Sequence, residues 1–149
     1  ARPTTRYHRA MTTQPPIQVG DTATRTFTVT PEAVRDYAHL TGDHNPLHFD
    51  ETFVAGTRFQ GLIAQGGLAT GMLHALVAMD LPGPGTVFLK QAWTFPNPAL
   101  IGDTLTATGT ILTWRPNRAM GTMHFQVTNT RDETVLEGEA TVMQVAPTD

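Results

Sequence analysis

The chain has no cysteine among its 149 residues. That excludes disulfide frameworks, thiolate zinc sites and cysteine nucleophiles, and it leaves the redox compartment unreadable from cysteine usage. No apolar run approaches the roughly twenty residues that a membrane-crossing helix needs, and the N-terminus lacks the apolar core of a secretory signal. Together these absences lead us to expect a soluble, cytoplasmic protein. No charge run and no Gly/Ser-rich linker divides the sequence, so the length predicts one domain with a substantial core. Ten Lys and Arg stand against 13 Asp and Glu, for a net charge of -3, and nothing in that balance points to a nucleic-acid surface. The basic residues are scattered, apart from a loose N-terminal group.

Residues 1–16 are rich in Arg, Thr and Pro without apolar periodicity and read as a flexible extension, with Met11 inside it as a candidate natural start. The domain is expected over residues 17–149. Ile17 to Val29 alternates loosely and reads as a strand. Thr30-Pro31-Glu32 then opens a helix, with Thr30 as N-cap and Pro31 at the first helical position, and Gly42 closes it. Residues 43–61 form a long irregular segment with a short helical turn near Asp50. Its length and its apolar members (Leu47, Phe49, Phe53, Phe59) favour a functional loop. Gly66 to Met79 is apolar nearly all round, the mark of a helix buried on most sides. Four strands follow, at Thr86–Phe95, Asp103–Trp114, Thr122–Thr130 and Thr134–Val145, with period-two alternation and turn residues between them. A single apolar helix needs a sheet around it, so the fold class is α+β: a curved antiparallel sheet of about five strands wrapping one central helix.

The segment Asp43-His44-Asn45-Pro46-Leu47-His48 carries the chemistry. Proline disfavours helical geometry at the residue before it, so the chain bends at Asn45. In such a bend Asp43 and His48 converge, as activation of a water molecule requires. Taken singly, each is better read as a structural residue, a loop acid and a part-buried loop histidine; the pair together favours catalysis. His39, His44 and His124 read as surface or strand positions, and no histidines pair at metal-ligand spacing.

Residues from about 17 to 145 resemble the MaoC-like dehydratases, the (R)-specific enoyl-CoA hydratases of the hot-dog fold. The pieces that carry the resemblance are Gly42-Asp43-His44-Asn45-Pro46-Leu47-His48, the Gly66 start of the apolar helix, the Leu81-Pro82-Gly83 stop, Phe95, and the Ile101-Gly102-Asp103-Thr104-Leu105 turn. The resemblance implies a hot-dog fold, a homodimer or higher homo-oligomer, and a thioester substrate on coenzyme A or an acyl carrier protein, with no separate cofactor and no metal. It also implies that Asp43 and His48 bind and activate the water while backbone N–H groups near Gly66 and Gly67 polarise the thioester carbonyl. Asn45, Gln65, Gly67 and His74 are the expected substrate-side residues. For Asn45 a loop-holding hydrogen bond is the stronger reading; for His74, a core histidine with a hydrogen-bond partner. Gln65 departs from the family, many of whose members carry a titratable His before the helix glycine.

The leading expectation is thus a hydratase or dehydratase of acyl thioesters. A thioesterase, with water directed at the carbonyl, is one alternative; a non-catalytic thioester-binding protein, suggested by Gln65, is the other. Lys90, Arg115 and Arg118 are candidate phosphate contacts or ordinary surface charges. Leu47, Phe49, Phe53, Met72, Leu73 and His74 are expected to set pocket depth.

Overall fold

In the computed structural model, which describes residues 15–148, threonine-rich alternation produces five antiparallel strands: β1 (Thr22–Thr28), β2 (Thr86–Thr94), β3 (Thr104–Arg115), β4 (Met120–Thr128) and β5 (Thr134–Gln144). The expected extension and Met11 lie, for residues 1–14, outside the described residues. The strands form one sheet in the order β1-β3-β4-β5-β2. The register breaks between Ile111 and Thr113 on β3 and between Phe88 and Lys90 on β2. Such irregularities add local bend and twist, and here they help curl the sheet around a helix. β1 begins at Thr22 rather than Ile17, because Gly20 N–H and Asp21 C=O turn to pair with Ile111 instead.

The first helix, α1 (Pro31–Thr41), starts as expected: Thr30 accepts a hydrogen bond from Ala33 N–H, and Gly42 ends the helix in the left-handed region at φ 81°. A short helix, α2 (Glu51–Ala55), is capped by Asp50. The central helix, α3 (Gly66–Met79), buries Ala69, Met72, Leu73, Leu76 and Val77 against Leu105, Ile111, Met123, Phe125 and Val142 of the sheet. This is the hot-dog arrangement. As expected, α3 is buried on most sides; Gly71, His74 and Met79 are exposed. Composition shows that a helix is apolar; which side the sheet leaves uncovered depends on strand order.

One ion pair ties the far loops together. Arg131 grips the buried Asp103 carboxylate through both terminal nitrogens, at 2.9 and 3.1 Å, and Asp103 also accepts the N–H of Leu100 at 2.8 Å. Val29 N–H bonds to the Asp103 carbonyl and Gly102 N–H to the Val29 carbonyl. The segment 98–103 is therefore fixed to β1 and to the β4–β5 turn. Around it, Arg131 is held more firmly protonated by the hydrogen bonds it donates to Asp103 and then to Glu133. The Glu133 carboxyl lies below the ordinary glutamate range, first through the Asn129 side chain and then through Arg131.

Removing the buried acceptor by Asp103→Ala is expected to cost about 1–3 kcal/mol, since it leaves donors unsatisfied; urea denaturation measures this. A depressed carboxyl contributes stability above its unfolded pKa and loses it as pH falls through the folded value. The small stability gap between wild type and Glu133→Gln should accordingly be present at neutral pH and close in acid.

Candidate active site

The loop after α1 is built from side chains that hydrogen-bond the backbone just ahead of them. Thr41 Oγ1 accepts from Asp43 N–H, Asp43 Oδ1 from Asn45 N–H, and Asn45 Oδ1 from Leu47 N–H, at 3.1 to 3.2 Å. Such Asx-type bonds replace helical ones and turn the chain. Pro46 then opens a single 3-10 turn, Pro46–His48. One oxygen of Asp43 is engaged by this network; the other, Oδ2, lies 3.6 Å from His48 Nε2. The acid and the imidazole do converge across the Asn-Pro bend.

His48 is buried, and its Nδ1 lies 2.7 Å from the carbonyl oxygen of Ile63. A carbonyl accepts only, so Nδ1 carries the proton and the neutral ring presents a lone pair at Nε2. This assignment follows from the bonding partner. The 3.6 Å gap to Asp43 is too long for a direct hydrogen bond, and it suits two acceptors that share one water. Asp43 is 41% exposed and His48 7%: the water side of the pair is open and the imidazole is fixed from behind.

Ile63 belongs to the run leading into α3. It bridges Leu100, with Ala64 N–H bonded to the Ala99 carbonyl and Ile101 N–H to the Leu62 carbonyl, and its own N–H bonds to the Leu47 carbonyl. The histidine loop, the clamped 98–103 segment and the start of α3 thus share one backbone frame.

The N-terminus of α3 differs from those of α1 and α2. Gln65 occupies the N-cap position without a side-chain cap bond, and Leu68 N–H is taken by the Gln65 carbonyl. Among the described residues the amides of Gly66 and Gly67 have no partner. Free helix-start N–H groups, reinforced by the helix dipole, form an anion-binding position. The two glycines serve different neighbours. A Cβ at Gly66 would stand 3.3 Å from the Phe95 ring, whereas one at Gly67 would stand 1.7 Å from Tyr37 Oη. Some of the room expected for substrate is therefore filled by Tyr37.

The remaining candidates are distributed as follows. Gln65 is buried, and its Nε2 donates to the Val34 carbonyl at 3.0 Å, pinning α1 to the start of α3. Its Oε1 has no partner among the described residues. Asn45 holds the loop, as expected. His74, expected to be a core residue, is exposed; it packs edge-on against Phe88 and receives Gln91 Nε2 at 3.2 Å. It sits about 12 Å along the helix from Gly66, so it is not brought to the acid–imidazole pair. Arg115 and Arg118 flank the β3–β4 turn, beside the Gly85 and Gln144 end of the sheet and away from the start of α3.

A cavity of about 310 Å³ opens beside Gly66, between Gln65, Ala69, Phe95, Leu105 and Val135. Its one charged lining residue is Arg58, whose guanidinium lies 5.2 Å from the Phe59 ring centre. None of Leu47, Phe49, Phe53, Met72, Leu73 or His74 lines it, but Phe49 lines a second cavity of about 500 Å³ together with His48, Val34, Leu62 and Ile101; Leu73 is sealed in the core and Phe53 is half exposed. Of the residues that line the Gly66 cavity, Phe59 and Phe95 are singled out by the sequence, whereas Arg58 and residues 96–99 carry no periodic signal. Among the described residues no cluster of three His, Asp or Glu is placed to hold a metal, and no helix is long and apolar enough to cross a membrane.

A five-stranded antiparallel sheet curled on one helix, with an Asp-His pair whose imidazole bonds to the run leading into that helix, defines the hot-dog class of proteins. The chain belongs to the MaoC-like domain family, whose model matches residues 12–135. It is 38% identical over 128 residues to an (R)-specific enoyl-CoA hydratase of Rhodospirillum rubrum, covering 85% of this chain and 88% of that one. A 3-hydroxybutyryl-CoA dehydratase of Methylorubrum extorquens is 34% identical over 126 residues, covering 85% and 80%. The solved structure of an (R)-hydratase from A. caviae, involved in PHA biosynthesis, superimposes with a TM-score of 0.82 at 29% identity, over 87% of this chain and 98% of that one.

Because Gly67 is filled against the Tyr37 hydroxyl, Gly67→Ala is expected to destabilise by about 1–3 kcal/mol through overpacking, against the small gain that alanine ordinarily brings inside a helix. A thermal melt of the variant checks the sign.

Proposed function

We infer that the protein is an (R)-specific 2-enoyl-thioester hydratase, running as a 3-hydroxyacyl-thioester dehydratase in reverse, on coenzyme A or acyl-carrier-protein substrates. The observation that carries this reading is Asp43 Oδ2 at 3.6 Å from a His48 Nε2 whose other nitrogen is committed to Ile63. Water held between them gives up a proton to the pair as its oxygen bonds to C3. The displaced electrons pass to the thioester oxygen, where the Gly66 and Gly67 amides stabilise them. The pair then returns a proton to C2. Helix-start donors suit this charge because they are oriented before it develops.

Asn45 and Gln65 enter as positioning groups, since their side chains are engaged with Leu47 N–H and the Val34 carbonyl. Gln65 therefore does not require a decayed site: a buried amide performs this tethering without titrating. The working domain is taken to run from Ile17 onward.

We further expect a homodimer. β2 is a sheet edge with Val87 46% and Leu89 52% exposed, next to the open face of α3, where Met79 is 60% exposed. Unpaired apolar edges pair readily with another strand, and a second copy would cover β2, Met79 and His74 together.

Asp43→Asn and His48→Ala are each expected to slow hydration of crotonyl-CoA by about 10²–10⁴-fold, followed by loss of enoyl absorbance. Undiminished turnover in both variants sinks the assignment, and release of free thiol in place of hydration would move it to a thioesterase. Light scattering should give twice the chain mass for wild type and a lower mass for Leu89→Lys; a monomeric wild type overturns the dimer.

A further inference from the structure

We propose that the Tyr37 hydroxyl donates a hydrogen bond to the thioester oxygen, as a third donor beside the Gly66 and Gly67 amides. The proposal rests on the hydratase reading above. Tyr37 lies on α1, the helix that delivers Asp43, and its ring crosses to the first turn of α3. The part of the ring nearest the missing Gly67 side chain is its polar end: a Cβ there would stand 1.7 Å from Oη, 2.3 Å from Cζ and 2.7 Å from Cε2. Helical Cβ atoms tilt toward the N-terminus, so the space that Oη occupies is on the end of α3 that presents the free amides.

The hydroxyl has no hydrogen-bond partner among the described residues. Gln65 Nε2 donates to Val34, and the Tyr37 carbonyl takes Thr41 Oγ1, which in turn holds Asp43 N–H. A ring that served only to space α1 from α3 would need no oxygen at this point, and a hydroxyl that is not sealed in the core is open to a partner from outside the chain. A ligand oxygen at the helix start supplies one. The phenol keeps its proton throughout. As the C3–O bond forms, the C2–C3 π electrons move onto the thioester oxygen, which draws the O–H closer; as C2 takes its proton, the carbonyl reforms and the bond relaxes.

Tyr37→Phe in the full chain retains the ring and its packing. We expect kcat for crotonyl-CoA hydration to fall about 10²-fold, the low side of the loss for one oxyanion donor, with KM and the melting temperature little changed. A conjugated dienoyl-CoA bound to wild type should show a red-shifted absorbance, as a polarised carbonyl does, and a smaller shift in Tyr37→Phe. Equal kcat and equal shift in the two proteins overturn the proposal while leaving the hydratase reading intact. If wild type neither hydrates nor shifts the dienoyl spectrum, the hydratase reading itself fails, and this proposal with it.

Discussion

The constraint on which the site depends is that α3 has to be buried along one side while its first amides stay free. A buried N–H without a partner costs about 1–3 kcal/mol, and α1 and α2 meet that demand with Thr30 and Asp50. At α3 the residue in the capping position, Gln65, sends its side chain sideways to Val34. Phe95 and Tyr37 close against the two glycines. What remains is a short stretch of oriented backbone donors with a cavity on one flank and the tyrosine on the other, an arrangement suited to an oxygen that gains negative charge.

The acid–imidazole pair is held to the same frame. Residues 62–65 receive the 98–101 segment on one edge and the histidine loop on the other. The Ile63 carbonyl that sets the His48 tautomer is therefore a fixed part of the path into α3. The Asp103–Arg131 clamp steadies that path from the far end of the sheet. In the reaction we propose, proton handling and charge stabilisation rest on one piece of backbone, which limits how far either can drift from the other.

Much of this was legible in the chain. The boundaries of α1 and α3 follow from Thr30, Pro31, Gly42 and the Gly66–Met79 apolar run, and the strands from threonine alternation. The Asn-Pro break correctly implied that Asp43 and His48 meet. Other parts were not. His74 sits in a helix that is apolar all round, and apolarity carries no information about which side a sheet will leave bare. The cavity beside Gly66 takes Arg58 and Phe59 from the 43–61 segment and joins them to Phe95 and residues 96–99, a meeting of distant loops that local pattern does not encode. Arg115 and Arg118 stand at the other end of the sheet, a matter of strand length and register.

The sequence by itself determined the local devices: caps, turns, the bend at Pro46 and the uncapped glycine start of α3, all of which act within about four residues through backbone dihedrals and neighbouring hydrogen bonds. Only the tertiary structure decided which nitrogen of His48 faces Asp43, because the carbonyl responsible is 15 residues away. It likewise decided where Gln65 spends its amide, 31 residues back along the chain, and that a tyrosine of α1 would fill the space left by Gly67. Those choices depend on which backbone groups and side chains the curled sheet brings into contact, and side-chain chemistry alone does not encode that at short range.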